Sequence, residues 1–109
     1  MDFSNYQEQS KSTALYPSIE KRFVYPLMGL ANEAGEVLGV AKKIFRDQAG
    51  EVSEETRQKI KKELGDVLWY LAQVASDFDL KLDDIAQANL DKLASRKDRG
   101  VLQGSGDDR

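Results

Sequence analysis

The chain is short, mildly acidic and free of both histidine and cysteine, and these properties exclude several classes of function. Its 109 residues suffice for one globular domain, and the net charge of −3 gives no general attraction to nucleic acid or to anionic membranes. Without histidine or cysteine the chain has no disulfide, no thiol nucleophile and only oxygen ligands for a metal, which favours Mg²⁺, Mn²⁺ or Ca²⁺.

The N-terminal part predicts two helices and no targeting segment. Its first residues lack the apolar core of a signal peptide, and no run approaches the roughly 20 apolar residues that span a bilayer, so we expect a cytosolic protein without membrane contacts. A first helix is predicted over residues 3–15, because Pro17 disfavours a helical residue before it. Pro26 suits the first turn of a second helix, whose apolar spacing continues to about Arg46.

The C-terminal part predicts two further helices. Ser53 is predicted to cap a third helix, because two glutamates follow it and favour the positive end of a helix. Asp83 is predicted to cap a fourth helix and Gly100 to end it. No segment alternates like a strand, so residues 1–109 are predicted to form a single all-α domain that resembles a four-helix bundle.

The apolar stripes of these helices predict self-association. Four helices of this length carry more apolar surface than one copy can bury. Trp69 falls outside the apolar arc of the third helix, and either a subunit interface or a base-stacking position explains this, with the interface favoured. We therefore expect a stable homodimer or homotetramer.

Two pairs of carboxylates interrupt the apolar helical pattern. Glu33 and Glu36 lie three residues apart in the second helix, where Glu33 falls inside the apolar arc and Glu36 on its edge. Glu63 and Asp66 repeat the spacing in the third helix, so antiparallel packing would bring both pairs to one pocket. Four crowded carboxylates repel one another unless a hard divalent cation joins them. Periodicity alone leaves a metal site and ordinary solvated carboxylates as equal alternatives.

Polar residues elsewhere on the helices are weaker candidates. Lys42, Lys43 and Arg46 could contact phosphates, although cations at the C-terminal end of a helix more often complement the helix dipole. Asn89 and Lys92 lie three residues apart beside the apolar stripe of the fourth helix. Solvent exposure alone accounts for both.

The sequence EAGE at residues 33–36, followed by ELGD at residues 63–66, resembles the E-x-x-E…E-x-x-D signature of the MazG-like nucleotide pyrophosphohydrolases. These belong to the all-α NTP pyrophosphatases, which also include dimeric dUTPases. The resemblance runs from about Leu27 to the C-terminus, where NLDKLASRKDRGVLQGSGDDR is similar to the family's N-x-x-K element and its basic, glycine-rich tail.

The resemblance implies a Mg²⁺-dependent enzyme that hydrolyses a nucleoside triphosphate, deoxy or non-standard, to the monophosphate and pyrophosphate. It implies that Mg²⁺, for which Mn²⁺ can substitute, is held by the four carboxylates, which are then also the catalytic residues. It implies contacts of Asn89 and Lys92 with the nucleotide, and oligomers whose pockets are completed by a neighbouring subunit. An attacking water needs only a carboxylate as proton acceptor, so the lack of histidine is no obstacle.

The sequence leaves alternatives open for the tail, residues 96–109, and for the function of the whole chain. The tail is either a frayed terminus or a flap that folds over bound triphosphate, with Arg96 and Arg99 making bidentate phosphate contacts, and the resemblance favours the flap. The chain could instead be a non-catalytic helical interaction module, or a nucleotide-binding regulator without turnover. An interaction module has no need of four clustered carboxylates, which argues against it.

Overall fold

The computed structural model describes residues 1–109 throughout and contains four α-helices and no strand. The bounds of the helices are α1 Phe3–Ser10, α2 Val24–Asp47, α3 Glu54–Asp77 and α4 Leu82–Asp98. A short 3₁₀ turn, Lys11–Thr13, follows α1. The predicted all-α single domain is confirmed. No helix combines the length and the apolar character that crossing a membrane requires.

Local chemistry explains where α3 begins and where α4 ends. The Ser53 hydroxyl accepts a hydrogen bond from the backbone N–H of Thr56 at 3.1 Å, which confirms the predicted cap of α3. Gly100 follows α4 with a φ of +71°, a conformation that glycine adopts without steric cost, and this confirms the predicted stop. The predicted start of α4 is wrong. Lys81 occupies the capping position, and Asp83 lies inside the first turn, where the helix dipole favours a carboxylate.

The first helix is shorter than its predicted span of residues 3–15. α1 ends at Ser10, and only the 3₁₀ turn continues to Thr13. The hydroxyl groups of Ser10, Ser12 and Thr13 donate to backbone carbonyls three residues earlier, at 2.8–3.0 Å. Such local bonds compete with the α-helical pattern, so this run of hydroxyl residues ends the helix early.

α2 and α3 form an antiparallel pair, the arrangement under which the two carboxylate pairs can converge. At one end of the pair the Thr56 hydroxyl donates to the side-chain carbonyl of Gln48 at 3.1 Å. At the other end the ring of Tyr70 lies against Gly29, where an added Cβ atom would be 2.1 Å from the nearest ring atom. This close approach requires glycine, and it places the C-terminal half of α3 beside the N-terminal half of α2.

α1 holds α3 and α4 together through buried amide groups. The Gln7 amide donates to the Ser76 hydroxyl at 3.0 Å and to the Leu80 carbonyl at 2.8 Å, and it accepts from the backbone N–H of Leu82 at 2.9 Å. The buried Gln73 amide donates to a hydroxyl of α1 at 2.8 Å. Because these buried groups have partners, the bonds stabilise the fold and orient the start of α4.

The core of the chain is small for its length. Only 10 of the 109 residues are buried, and the apolar cluster consists of Ala72, Ala75 and Leu82. The radius of gyration is 16.9 Å, whereas a compact domain of this length has about 13 Å. Large apolar side chains stay exposed on α2 and α4, among them Phe45 at 76% and Leu90 at 62%. One copy of the chain therefore leaves an extended apolar surface uncovered.

Candidate metal centre

Three carboxylates from α2 and α3 converge in the structure. Glu33 of α2 faces Glu63 and Asp66 of α3, and one oxygen atom from each residue lies within 4.8 Å of the other two. Glu33 and Glu63 are half-buried, and Asp66 is exposed. None of the three is paired with a lysine or an arginine. The antiparallel pair thus brings together three of the four carboxylates that the spacing singles out, here called the acidic cluster.

Mutual repulsion within the acidic cluster shows at Glu33. Burial raises the pKa of Glu33, and the negative charges of Asp66, Glu63 and Glu36 raise it further. A divalent cation reverses this effect, because its charge favours the ionised carboxylates. Opposite oxygen ligands of one Mg²⁺ are about 4.2 Å apart, twice the metal–oxygen distance, so the observed spacing requires only small side-chain movements. A donor set made of oxygen atoms alone fits Mg²⁺ or Mn²⁺.

Glu36 lies next to the acidic cluster without joining it. Its charge contributes to the raised pKa of Glu33, yet its carboxylate is not within 4.8 Å of all three members. It is exposed, and together with Glu63 it lines a surface pocket of about 490 Å³ between α2 and α3. Its assignment as a metal ligand stays a prediction.

Tyr70 connects the acidic cluster to a group of aromatic side chains. Its ring lies against Gly29, about one helical turn before Glu33. The pKa of Tyr70 is raised by burial, by Tyr25, and by the negative charges of Glu33 and Asp66. The phenol therefore stays protonated at neutral pH and can donate a hydrogen bond beside the carboxylates.

The aromatic group contains Tyr16, Tyr25, Trp69 and Tyr70. Tyr16 and Tyr25 stack with 5.6 Å between ring centroids, and Trp69 meets Tyr70 edge-on at 5.0 Å. The Trp69 indole donates to the Thr13 hydroxyl at 2.9 Å, so an intramolecular contact accounts for its place outside the apolar arc. No sequence pattern predicts Tyr16 and Tyr25 here. Each precedes a proline, which signals a turn or a helix start and carries no information about a site.

The segment between α1 and α2 is held against α3 by Asp77. The Tyr16 hydroxyl donates to the Asp77 carboxylate at 2.8 Å, and the Arg22 guanidinium lies 3.4 Å from the same carboxylate. Burial and the hydrogen bond to Asp77 raise the pKa of Tyr16 to about 12. These contacts fix the aromatic group at the end of the pair where α2 begins and α3 ends, whereas the acidic cluster lies near the middle of both helices.

Three of the predicted substrate contacts bind the chain's own residues 101–109. The Asp107 carboxylate lies 3.1 Å from Lys92 Nζ and 3.2 Å from an Arg96 guanidinium nitrogen, and these hydrogen bonds lower the pKa of Asp107. Arg99 donates to the backbone carbonyl of Arg109 at 2.9 Å. No hydrogen bond or ion pair joins these cations to the acidic cluster, so their role in binding substrate stays a prediction.

Asn89, the fourth predicted substrate contact, lies one helical turn before Lys92 but does not share its contacts with residues 101–109. It is exposed and lines a pocket of about 230 Å³ between α1, α3 and α4, whose other walls are apolar. Its neighbours there include Leu68 and Ile85. No carboxylate of the acidic cluster lines this pocket, and the contact of Asn89 with a nucleotide also stays a prediction.

Residues 101–109 fold back along the end of α4 without forming a helix. The Arg109 guanidinium donates to three backbone carbonyls within this segment, at 2.7–3.1 Å. Arg96 is buried, and it donates to the carbonyl and the carboxylate of Asp107 while its Nε atom has no partner. The tail therefore has its own set of contacts, and its closing over a nucleotide stays a prediction.

Comparison with known proteins assigns the chain to a family. Residues 26–101 match the family described as the MazG nucleotide pyrophosphohydrolase domain, and this span includes the whole acidic cluster. The chain is 50% identical over 110 residues to the Gene 37 protein of Mycobacterium phage L5, in an alignment that covers 95% of this chain and 96% of that protein. No solved structure matches the chain. With α3, all but the first two residues of α2, and the carboxylates of both helices inside the matched span, the chain belongs to the MazG nucleotide pyrophosphohydrolase domain family.

Proposed function

We propose that the protein hydrolyses nucleoside triphosphates, deoxy or non-standard ones among them, to the monophosphate and pyrophosphate in a Mg²⁺-dependent reaction. The convergence of Glu33, Glu63 and Asp66 on the α2–α3 pair is the observation that carries this proposal. Family membership suggests the reaction class. Removal of non-standard nucleotides from the cellular pool is the biological role that we propose for it.

The proposed reaction adds water across the bond between the α- and β-phosphates. When bound, Mg²⁺ neutralises the charge that develops on the phosphate oxygens. Glu33, Glu63 and Asp66 would hold the ion, the first two from positions half-buried between two packed helices. Glu36 would complete the ligand set from the next turn of α2. A carboxylate of the site accepts the proton of the attacking water, so no histidine is required.

The aromatic group is the proposed place for the nucleoside. Tyr70 lies beside Glu33 and Asp66, and its neighbours Tyr25 and Trp69 extend an aromatic surface away from the carboxylates. Any nucleobase can stack on such a surface, because stacking uses the face of the base and not the polar atoms on its edges. The phosphates then reach the acidic cluster while the base lies against the aromatic rings.

We also propose that the protein is a homodimer or a homotetramer. The large radius of gyration and the exposed apolar side chains of α2 and α4 support a second copy as the missing cover. A neighbouring copy would also bring further residues to the pocket. Light scattering should give a multiple of the 12.2 kDa chain mass at micromolar concentration, and a monomer would contradict this proposal.

Product analysis tests the proposed activity. Incubation with each common NTP and dNTP in Mg²⁺ should release pyrophosphate and the monophosphate from at least one of them, and EDTA should abolish the release. Release of orthophosphate instead would contradict the proposed reaction.

The exposed apolar surface favours a second candidate function, that of an interaction module without catalysis. A protein of that kind would release neither product with any nucleotide. A nucleotide-binding regulator would bind nucleotide in the presence of Mg²⁺, as measured by calorimetry, without consuming it. The same panel of nucleotides therefore separates the three alternatives.

A further inference from the structure

A second charged pocket lies next to the acidic cluster. The pocket has a volume of about 490 Å³, opens between α2 and α3, and includes four lysines and two glutamates among its lining residues. These six residues are Glu36, Lys42, Lys43, Lys59, Lys62 and Glu63. The lysines come from both helices, so the antiparallel packing, and no single helix, creates this concentration of positive charge.

Most of these lysines have no carboxylate partner within the chain. Lys59 forms an exposed ion pair with Glu55 at 3.1 Å, whereas Lys42, Lys43 and Lys62 form none. Arg46, the third basic residue at this end of α2, differs from them because both of its contacts go to the neighbouring Asp47, at 2.9 Å. The helix dipole accounts for cations on α2 alone. It does not account for the lysines that face them from the first half of α3.

The lysine pocket and the acidic cluster share a wall. Glu63 belongs to both, and Lys62 precedes it directly in the chain. From the rise of an α-helix, Lys59 lies about 6 Å from Glu63 along α3, and Lys43 lies about 10 Å from Glu36 along α2. An elongated anion bound at the acidic cluster through a metal ion can therefore extend into the lysine pocket.

We propose that this pocket binds the pyrophosphate end of the substrate, the β- and γ-phosphates that leave together. This inference rests on the proposed function. Lysine provides compact, mobile ammonium groups that suit a leaving group carrying several charges. The four lysines outnumber the two glutamates that line the same pocket, so a bound anion would offset their remaining repulsion. The pocket offers no aromatic side chain, so it suits a phosphate chain and not a nucleobase. The nucleoside and its α-phosphate stay on the opposite side of the acidic cluster, towards Tyr70.

Lys62→Gln and Lys43→Gln test this assignment, with Lys61→Gln as the matched control. Lys61 is an exposed neighbour on α3, but it borders a different, mainly apolar pocket with Ile44, Ile60 and Leu64. Calorimetry with inorganic pyrophosphate and Mg²⁺ should show binding weakened about 10-fold or more by each pocket substitution, as expected for the loss of one charged hydrogen bond. The control substitution should leave pyrophosphate binding unchanged, and the affinity for a nucleoside monophosphate should be the same in all three variants.

The outcomes separate this inference from the proposed function. If nucleotide is hydrolysed but the pocket variants bind pyrophosphate as tightly as Lys61→Gln does, the pocket assignment is wrong and the activity stands. If no nucleotide is hydrolysed, the calorimetry still decides, because lysine-dependent pyrophosphate binding supports the pocket on its own. Absence of pyrophosphate binding to the unsubstituted protein, or an equal loss of monophosphate binding in the pocket variants, overturns the assignment.

Discussion

The α2–α3 pair and the α4–tail region differ in how completely one chain pairs their charged side chains. In the α2–α3 pair, packing alone brings Glu33 to Glu63 and Asp66, and what is missing is a positive charge. In the α4–tail region the charges are already matched, because Lys92 and Arg96 are paired with Asp107. The carboxylates of the first region are free to bind a cation, whereas the cations of the second must release Asp107 before they can bind a ligand.

This difference separates two kinds of effect that substitutions can have. A change in the α2–α3 pair removes groups that a bound ion and the reacting phosphates need, so it should act on turnover. A change in the α4–tail region alters contacts that compete with substrate binding or contribute to it, so it should act on affinity. The predictions below test this division, from the largest effect to the smallest.

Glu63→Gln should produce the largest effect. The substitution removes a charge from the acidic cluster while keeping the size of the side chain, and kcat should fall by about 10² or more, as expected when electrostatic stabilisation by a metal is lost. Glu36→Gln should have a similar effect if Glu36 completes the ligand set. Steady-state kinetics with saturating Mg²⁺ measures both, with the exposed Glu54→Gln as the control on α3. Near-normal turnover in Glu36→Gln and Glu63→Gln would remove the basis for the site.

Gly29→Ala and Gly35→Ala should shift stability in opposite directions. An added methyl group at Gly29 would overlap the Tyr70 ring, at 2.1 Å, and should lower the free energy of unfolding by about 1–3 kcal/mol. At Gly35 nothing lies within 4 Å, so alanine should raise the free energy of unfolding by about 0.5–1 kcal/mol through its better helix propensity. Urea denaturation of the two variants measures the difference, and equal effects would contradict the close packing of Tyr70 on α2.

Truncation after Gly100 should affect affinity more than turnover. It removes the contacts of Arg96 and Arg99 with residues 101–109, along with any cover that these residues provide over bound triphosphate. We expect KM for the nucleotide to rise about 10-fold, the loss of roughly one charged hydrogen bond, while helix content and Mg²⁺ binding persist. Arg99→Ala should show a milder increase. Unchanged KM and kcat after truncation would mean that the tail does not contact substrate.

Glu33→Gln should raise the thermal stability of the metal-free protein at neutral pH. The pKa of Glu33 is higher in the folded state than in the unfolded chain, so its favourable contribution is complete below the ordinary glutamate pKa and is lost as pH rises through the raised value. The gain from the substitution should therefore be present at pH 7 and absent near pH 4. Melting curves at both pH values measure it, with Glu51→Gln in the α2–α3 connection as the control. Equal melting temperatures at pH 7 would show that Glu33 is not repelled.

The same two regions show what the sequence could and could not predict. Periodicity and caps predict α2 and α3 well, because the signals are local: apolar spacing, the Ser53 cap, and carboxylates three residues apart. The pairing of Asp107 with Lys92 and Arg96 joins groups 11 and 15 residues apart through a chain reversal, and no helical period encodes it. The predicted cap at Asp83 is wrong because an acidic residue suits the first turn of a helix as well as its cap, and the sequence does not distinguish the two positions.

Binding of Mn²⁺ to the unsubstituted protein and to Glu63→Gln tests the central claim most directly, because it depends on neither substrate nor turnover. Electron paramagnetic resonance of free Mn²⁺ during titration counts the bound ions, and Mg²⁺ should compete for the same site. The account predicts saturable Mn²⁺ binding to the unsubstituted protein, displaced by Mg²⁺ and weakened at least 10-fold by Glu63→Gln, with no change in Glu54→Gln. Equal Mn²⁺ binding by Glu63→Gln and the unsubstituted protein, or no binding to either, would contradict a metal centre between α2 and α3.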